Sequence, residues 1–163
     1  MRKILLLLCL ALSLFALQND KDMLSGELKN GLKYYIKENK LPQNTAIFYL
    51  VVNSGSTDEK DGEQGLAHFL EHMAFNGSRD FSKNELIKQL ESLGVKFGAD
   101  LNAQTSYDQT SYTLSINVNE KNLKDVFKVF SNWIDGVKID AGELDKERGV
   151  VMEEERQRNT PAY

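Results

Sequence analysis

His68-Phe69-Leu70-Glu71-His72 is the stretch that decides both the fold and the chemistry of this chain. Both histidines of the 163-residue sequence lie in it, four residues apart, with a glutamate between them. Residues four apart on an α-helix share one face, so two imidazoles placed in this way can bind one metal ion. The carboxylate of Glu71 reaches the same face, beside the metal. The stretch therefore predicts a helix that carries a metal site.

The order His-x-x-Glu-His is also the signature of the inverted zincins, a class of zinc hydrolases. Zinc held by two histidines and a carboxylate, with one position left for water, makes a hydrolytic site. The simpler alternative is a surface helix whose exposed face happens to carry His68, Glu71 and His72. A structural zinc site is disfavoured, because such sites close with four protein ligands and the sequence offers only three good ones.

Composition and charge narrow the class of protein. The hydrophobic content of 41% and the charged content of 27% are those of an ordinary globular chain, and the length suits a single domain. The formal net charge of -4 argues against a nucleic-acid partner, which would require a basic surface.

The N-terminal segment has the pattern of a secretory signal peptide. Arg2 and Lys3 are followed by an apolar run from Ile4 to Leu17 and then by polar residues. We therefore expect residues 1–17 to be a signal peptide and residues 18–163 to be a periplasmic or secreted domain without a stable membrane span. The alternative is an uncleaved signal that anchors the protein in the membrane. Cleavage would also remove Cys9, the one cysteine.

Four segments have the patterns of β-strands. Lys29-Asn30-Gly31 predicts a hairpin turn before the strand-like residues 32–37. The apolar run 45–52 predicts a central strand covered on both faces. Residues 95–103 and 111–118 predict two further strands. In the last of these, one face is expected in the core; its residues are Tyr112, Leu114, Ile116 and Val118.

Four further segments have helical patterns. The histidine helix is expected at residues 63–75, and a capping box, Ser82–Glu85, opens the next helix. Apolar residues at helical spacing from Leu123 to Ile134 predict a third helix with a buried aromatic face. A second capping box, Asp140–Glu143, opens a last helix that runs toward Arg158. Paired strands and paired helices predict an α+β fold, with a mixed or antiparallel sheet packed against helices.

A catalytic zinc needs a third protein ligand, and the last helix offers five glutamates. Among them Glu147 and Glu154 are seven residues apart and share one face, next to Val150 and Val151, which we expect to be buried. One of the two could bind the metal while the other orients a ligand histidine. The alternative is a solvated charged face, in which Glu147 with Arg148 and Glu154 with Arg158 form ordinary surface pairs.

Three stretches of the chain resemble the pitrilysin, insulinase and mitochondrial processing peptidase family of zinc metallopeptidases. They are Gly65–Phe75 (GLAHFLEHMAF), Gly98–Ala103 (GADLNA) and Leu144–Glu154 (LDKERGVVMEE). The resemblance covers roughly residues 31–158 and is strongest to exported bacterial members. It implies that His68 and His72 bind zinc and that Glu71 is the general base.

The same resemblance assigns the remaining site residues and the partners. It implies that Glu154 is the third zinc ligand, supported by Glu147, and that Asn102 and Ala103 bind the backbone of an extended peptide. Family members carry two homologous halves that close like a clamshell around the peptide. The chain looks like most of the metal-bearing first half, truncated at its C-terminus, so a second homologous half is the expected partner.

The function that follows is that of a zinc-dependent metalloendopeptidase lobe, which hydrolyses peptide bonds in peptides or small unfolded proteins. Glu71 would activate the water that zinc binds. The alternative is a non-catalytic lobe that binds zinc or peptide and needs a second half to become active.

Overall fold

A computed structural model describes residues 20–158, so the expected signal peptide at residues 1–17 lies outside the described residues. The chain divides into two compact units between Gln43 and Asn44. The described part of the first unit is an antiparallel hairpin of β1 (Met23–Glu27) and β2 (Lys33–Lys37). Gly31 turns it with a φ of 86°, where glycine avoids the strain that a Cβ would bring. The predicted hairpin turn is confirmed.

The second unit is a three-stranded antiparallel sheet covered by helices on one face. Its strands are β3 (Thr45–Val52), β4 (Leu101–Thr105) and β5 (Thr110–Asn117), in the spatial order β3-β5-β4. Its helices are α1 (Leu66–Met73), α2 (Lys83–Ser92), α3 (Glu120–Asp135) and α4 (Ala141–Arg158), and a short 3-10 turn covers Ser56–Asp58. This arrangement confirms the predicted α+β class.

The core lies between the sheet and helices α2 and α3. The capping box at Ser82 and Glu85 forms as predicted and opens α2. Trp133 of α3 lies at the centre, where its indole Nε1 donates to the Ala74 carbonyl at 3.1 Å. The largest fully buried apolar side chains are Met73, Leu86, Leu90, Leu101, Leu114, Val126 and Val129. This packing fixes the C-terminal end of α1 against the sheet.

The predicted central position of β3 is wrong. β3 pairs only with β5, so it forms an edge of the described sheet. Leu50 is buried on one face, whereas Ile47 and Tyr49 on the other are 58% and 67% exposed. A continuous apolar run does not show whether one face of a strand is buried or both. The order of strands in a sheet is set by pairing with distant residues.

The predicted strand at 95–103 starts too early, because Gly98 turns the chain with a φ of 83° before β4 begins. Three residues expected in the core are exposed. Val118 follows the end of β5, Ile134 is 46% exposed, and Phe127 meets Phe48 only edge-on at the rim of the core. Periodicity alone predicted a buried apolar face on α3 that is wider than the surface the sheet covers.

Helices α1 and α4 begin with clear caps. Gly65 precedes α1 with a φ of 89°, and the carboxylate of Glu59 accepts the N–H groups of Gly65 and Ala67 at 2.8 Å each. Negative charge at a helix N-terminus is favourable. At α4, Asp140 Oδ1 accepts the N–H groups of Gly142 and Glu143, so the Asp140 half of the predicted capping box is confirmed. Within residues 20–158, no helix has the length and apolar character needed to cross a membrane.

The expected buried stripe on α4 is wrong. No residue of α4 is buried, and Val150 is 52% exposed. The half-buried face consists of residues three or four apart; these are Leu144, Glu147, Val151 and Glu154. This face packs against α1, so helical spacing correctly placed the two glutamates together, although their neighbour Val150 lies beside the contact rather than in it.

Candidate metal centre

His68, His72 and Glu154 converge where α1 and α4 meet. The two Nε2 atoms lie 3.2 Å apart. Glu154 Oε2 lies 3.2 Å from Nε2 of His72 and 3.7 Å from Nε2 of His68. These three form the group of metal-ligating side chains that the described residues bring together, with one ligand atom each within 4.8 Å of the others.

The spacing of these three atoms fits a zinc ion. Zinc lies about 2.1 Å from nitrogen or oxygen ligands, so tetrahedral donors stand about 3.4 Å apart. The observed separations of 3.2 to 3.7 Å lie on both sides of that value. All three side chains are half-buried, with exposed fractions of 18–31%, so the group is open to solvent on one side. Two imidazoles and one carboxylate are the donor set of a catalytic site rather than a closed structural one.

Glu147 lies behind His72 rather than in the group. Its Oε1 is 2.8 Å from His72 Nδ1. A carboxylate only accepts, so Nδ1 carries the proton and Nε2 keeps its lone pair for a metal. Glu147 Oε2 accepts the Asn76 Nδ2 amide at 2.8 Å. The geometry thus separates the two glutamates that the spacing alone left equivalent.

The surface-pair alternative for Glu154 coexists with this arrangement. Arg158 donates to Glu154 Oε1, while Oε2 faces the histidines. The expected pair of Glu147 with Arg148 is not formed, since Arg148 approaches Asp145 at 3.8 Å instead. One charged face of α4 therefore turns inward and the rest remains solvated.

Glu71 is buried, with 7% of its surface exposed, on the side of α1 next to the sheet. Thr105 of β4 donates its hydroxyl to Glu71 Oε2 at 2.6 Å. The Thr105 hydroxyl also lies 3.3 Å from that of Thr110, which donates to the Ser54 carbonyl. The Thr105 hydroxyl thus orients the carboxylate.

Tyr112 shares this buried environment. Burial, and to a smaller extent the negative charge of Glu71, raises the pKa of its phenol well above the ordinary value. The phenol therefore stays protonated at neutral pH, and it contributes no charge next to the carboxylate of Glu71.

Asn102 and Ala103 lie on β4, the other edge of the described sheet. They line an open cavity of about 410 Å³ together with Glu71 and His72. Its apolar wall comes from residues of three different segments: Phe75, Ile87, Phe97 and Leu101. The side chain of Asn102 donates to the Gly98 carbonyl at 3.2 Å, which ties the strand to the preceding turn. Five of the seven residues proposed from the sequence therefore line one cavity. The other two, His68 and Glu154, lie next to it, against His72.

Sequence reasoning missed three residues around the site. Asn76 donates to Glu147, Thr105 donates to Glu71, and Lys83 donates to Asn76. A signal existed for Asn76, because it follows His72 by four residues and so continues the same face as the helix ends. Thr105 and Lys83 carried no local signal, since they reach the site only through the folding of β4 and α2.

An α+β unit whose inverted zincin helix faces a glutamate helix has the architecture of a zinc-peptidase domain. The family model of the insulinases, peptidase family M16, matches residues 34–162. The chain therefore belongs to the M16 family of peptidases, and the family resemblance inferred from the motifs is confirmed.

Individual relatives agree with this assignment. Over 142 residues the chain is 42% identical to the probable zinc protease PqqL of Escherichia coli K12, covering 86% of this chain and 15% of that protein. It is 41% identical to the Haemophilus influenzae protein of the same description, covering 87% and 15%. The crystal structure of the first half of the periplasmic protease PqqL from Escherichia coli matches with 40% identity and a TM-score of 0.85, covering 89% and 31%.

The fold is therefore that found within the first half of a larger protease. The chain spans only 15% of the length of these curated relatives.

Proposed function

We propose that this chain carries the metal centre of a zinc-dependent metalloendopeptidase that hydrolyses peptides or small unfolded proteins. His68, His72 and Glu154 would hold the zinc. The observation that carries the proposal is the convergence of three ligand atoms from two helices, at separations of 3.2 to 3.7 Å. The zinc proteases among its relatives support the choice of metal.

Glu71 is proposed as the general base. Bound zinc would supply Lewis-acid polarisation of the scissile carbonyl and would acidify the attacking water. Glu71 takes the proton of that water and passes it to the nitrogen of the departing amine. The Thr105 hydroxyl holds one oxygen of the carboxylate, which leaves the second oxygen for the proton.

The proposed role of Glu147 is to support His72. Its bond to Nδ1 keeps the ring in the tautomer and orientation in which Nε2 can bind metal.

The substrate is proposed to bind as an added β-strand. Asn102 and Ala103 lie on an edge strand of the described sheet, and that strand lines the cavity beside the histidines. Main-chain hydrogen bonds at such an edge give affinity for any extended peptide, and neighbouring pockets select side chains.

A second homologous half is the proposed partner, on the same longer chain or on a separate subunit. The length of the relatives supports this partner. We propose residues 1–17 as an export signal and residues 18–163 as part of a periplasmic or secreted lobe, anchored in the membrane if the signal is retained. The periplasmic location stated for the solved PqqL relative supports export.

The alternative is a lobe that binds zinc or peptide and does not cut until a second half joins it. The small share of the relatives that the chain spans favours this alternative for the chain alone. Peptide cleavage measured with and without an added second half distinguishes the two. A lobe that is a peptidase by itself cleaves without the second half, and the alternative lobe does not.

Zinc binding is tested by metal content and by competition with a chelator. We expect Glu154→Gln to weaken zinc binding by more than about tenfold, because it removes a charged ligand. Glu153→Gln is the matched control, since Glu153 contacts Arg156 and Gln157 on the solvated side of the same helix. Equal zinc affinity of the two variants, or an unmodified chain that binds no zinc, would refute the proposal.

A further inference from the structure

The side chain of Asn76 joins three parts of the molecule. Its Nδ2 donates to Glu147 Oε2 at 2.8 Å and to the His72 carbonyl at 3.1 Å, and its Oδ1 accepts from the ammonium group of Lys83. An ammonium only donates and a carboxylate only accepts, so the amide has a single orientation that satisfies both neighbours. Asn76 is 8% exposed, so water does not readily replace these contacts.

Lys83 is held in place by its own helix. It is the first residue of α2, directly after the capping box at Ser82. A tight turn joins Asn76 to Lys83, since Ser78 donates its N–H to the Phe81 carbonyl at 2.7 Å and Gly77 pairs with Ser82. The Lys83 ammonium also lies 3.9 Å from Glu143 Oε2, one turn before Glu147 on α4.

These contacts form one continuous path from a cation to a ligand. It runs from Lys83 through the Asn76 amide to Glu147 and from there to Nδ1 of His72. The carboxylate of Glu147 accepts one bond at each oxygen. Loss of the Asn76 bond would leave it held at Oε1 alone, so the carboxylate could rotate away from His72. A half-buried carboxylate that loses a donor becomes a weaker and less well oriented acceptor.

We propose that Asn76 and Lys83 are positioning residues that set the metal affinity of the site by holding Glu147 against His72. This inference rests on the proposed zinc site, and it adds a layer of control beyond the metal ligands and Glu147. Asn76 and Lys83 act through Glu147. The path also couples three helices, because Asn76 closely follows the end of α1, α2 begins at Lys83 and α4 contributes Glu147.

The test measures the zinc dissociation constant of the full chain by competition with a chromophoric chelator. Asn76→Leu keeps the size of the side chain and removes all three of its hydrogen bonds, and we expect affinity to fall between about 10- and 100-fold. Lys83→Met should produce a smaller loss, of about tenfold or less, which Lys83→Arg restores. Lys146→Met is the matched control, because Lys146 pairs with Glu143 as well but reaches neither Asn76 nor Glu147.

A double-mutant cycle separates positioning from a merely structural role. In a Glu147→Ala background, Asn76→Leu should change zinc affinity by less than about twofold, because the group it acts through is gone. If Asn76→Leu has its full effect without Glu147, or no effect with it, the inference is overturned. If the unmodified chain binds no zinc, the proposed function itself fails. That failure is distinct from a failure of this inference, which would appear only in the variants.

A second substitution guards against misfolding of Asn76→Leu, which circular dichroism in excess chelator would reveal. Asn76→Asp keeps the size of the side chain and its acceptor for Lys83, but it places a carboxylate against that of Glu147. Like charges in contact repel, so we expect a loss of zinc affinity at least as large as that of Asn76→Leu. An unchanged dissociation constant in a folded Asn76→Asp protein would overturn the inference.

Discussion

Helices α1 and α4 together form the metal centre, yet they are held in place by different interactions. α1 is fixed by apolar packing, since Met73 and Ala74 are fully buried and Trp133 donates to the Ala74 carbonyl. α4 has no buried residue, and Glu147 and Glu154 join it to the histidines of α1 beside the half-buried Leu144 and Val151. Apolar packing thus holds α1 in the core, whereas histidine–carboxylate contacts within the site help to hold α4 against α1.

This difference has a physical consequence for binding. A helix fixed by the hydrophobic effect keeps its position whether or not a ligand is bound. A helix docked through histidine–carboxylate contacts gains stability from any cation that the contacts hold, because ligand binding stabilises the state that binds it. Four experiments test the two helices and the core beneath α1.

The largest expected effect belongs to Glu71, which lies on α1 but outside the group of metal ligands. Glu71→Gln should lower the rate of peptide cleavage by about 10²- to 10⁴-fold, because the amide cannot accept the proton. Zinc content should remain as in the unmodified protein. Cleavage is measured in the assembly that shows turnover, and a metal-loaded Glu71→Gln protein that still cuts would contradict the general-base role.

Two methionines allow the two helices to be compared directly. Met73 on α1 is fully buried and Met152 on α4 is 63% exposed. Met73→Ala should lower the free energy of unfolding by about 2–5 kcal/mol through the cavity it leaves. Met152→Ala should change it by less than about 0.5 kcal/mol. Denaturant titration measures both, and similar costs would mean that α4 is packed as firmly as α1.

Removal of the metal should affect the two helices unequally. In excess chelator we expect the backbone amides of α4 to exchange with solvent at least about tenfold faster than those of α1, because α4 lacks buried apolar contacts. Hydrogen–deuterium exchange read by mass spectrometry reports both helices in one sample. Equal protection of α1 and α4 in the chelated protein would show that packing, not the site, holds α4.

The smallest effect concerns the core beneath α1. Burial raises the pKa of Tyr112 in the folded chain, so above the ordinary phenol pKa of about 10 only the unfolded state loses this proton. The stabilisation is complete below that pH and is lost as the pH rises above it. Tyr112→Phe should therefore make the free energy of unfolding fall less steeply between about pH 10 and 12. An identical slope in both proteins would contradict the assignment.

Sequence reasoning succeeded where the contacts are local. The caps at Ser82 and Asp140, the turn at Gly31 and the shared face of His68 and His72 depend on residues within four positions of one another. It failed for the position of β3 and for the exposure of Phe127, Ile134 and Val150. The strand position and these exposures depend on which surfaces the distant parts of the chain cover. An apolar pattern in the sequence does not show which segment packs against it.

The sequence by itself determined the donor chemistry: two imidazoles one helical turn apart, a glutamate between them, and two glutamates on one face of a later helix. Helical spacing makes Glu147 and Glu154 equivalent, and the family resemblance only implied an order for them. The tertiary structure alone shows that Glu154 faces both rings and that Glu147 lies behind His72. The contact between His72 and Glu147 spans 75 positions of the chain. Contacts at such separations are set by the packing of the sheet and helices that bring them together.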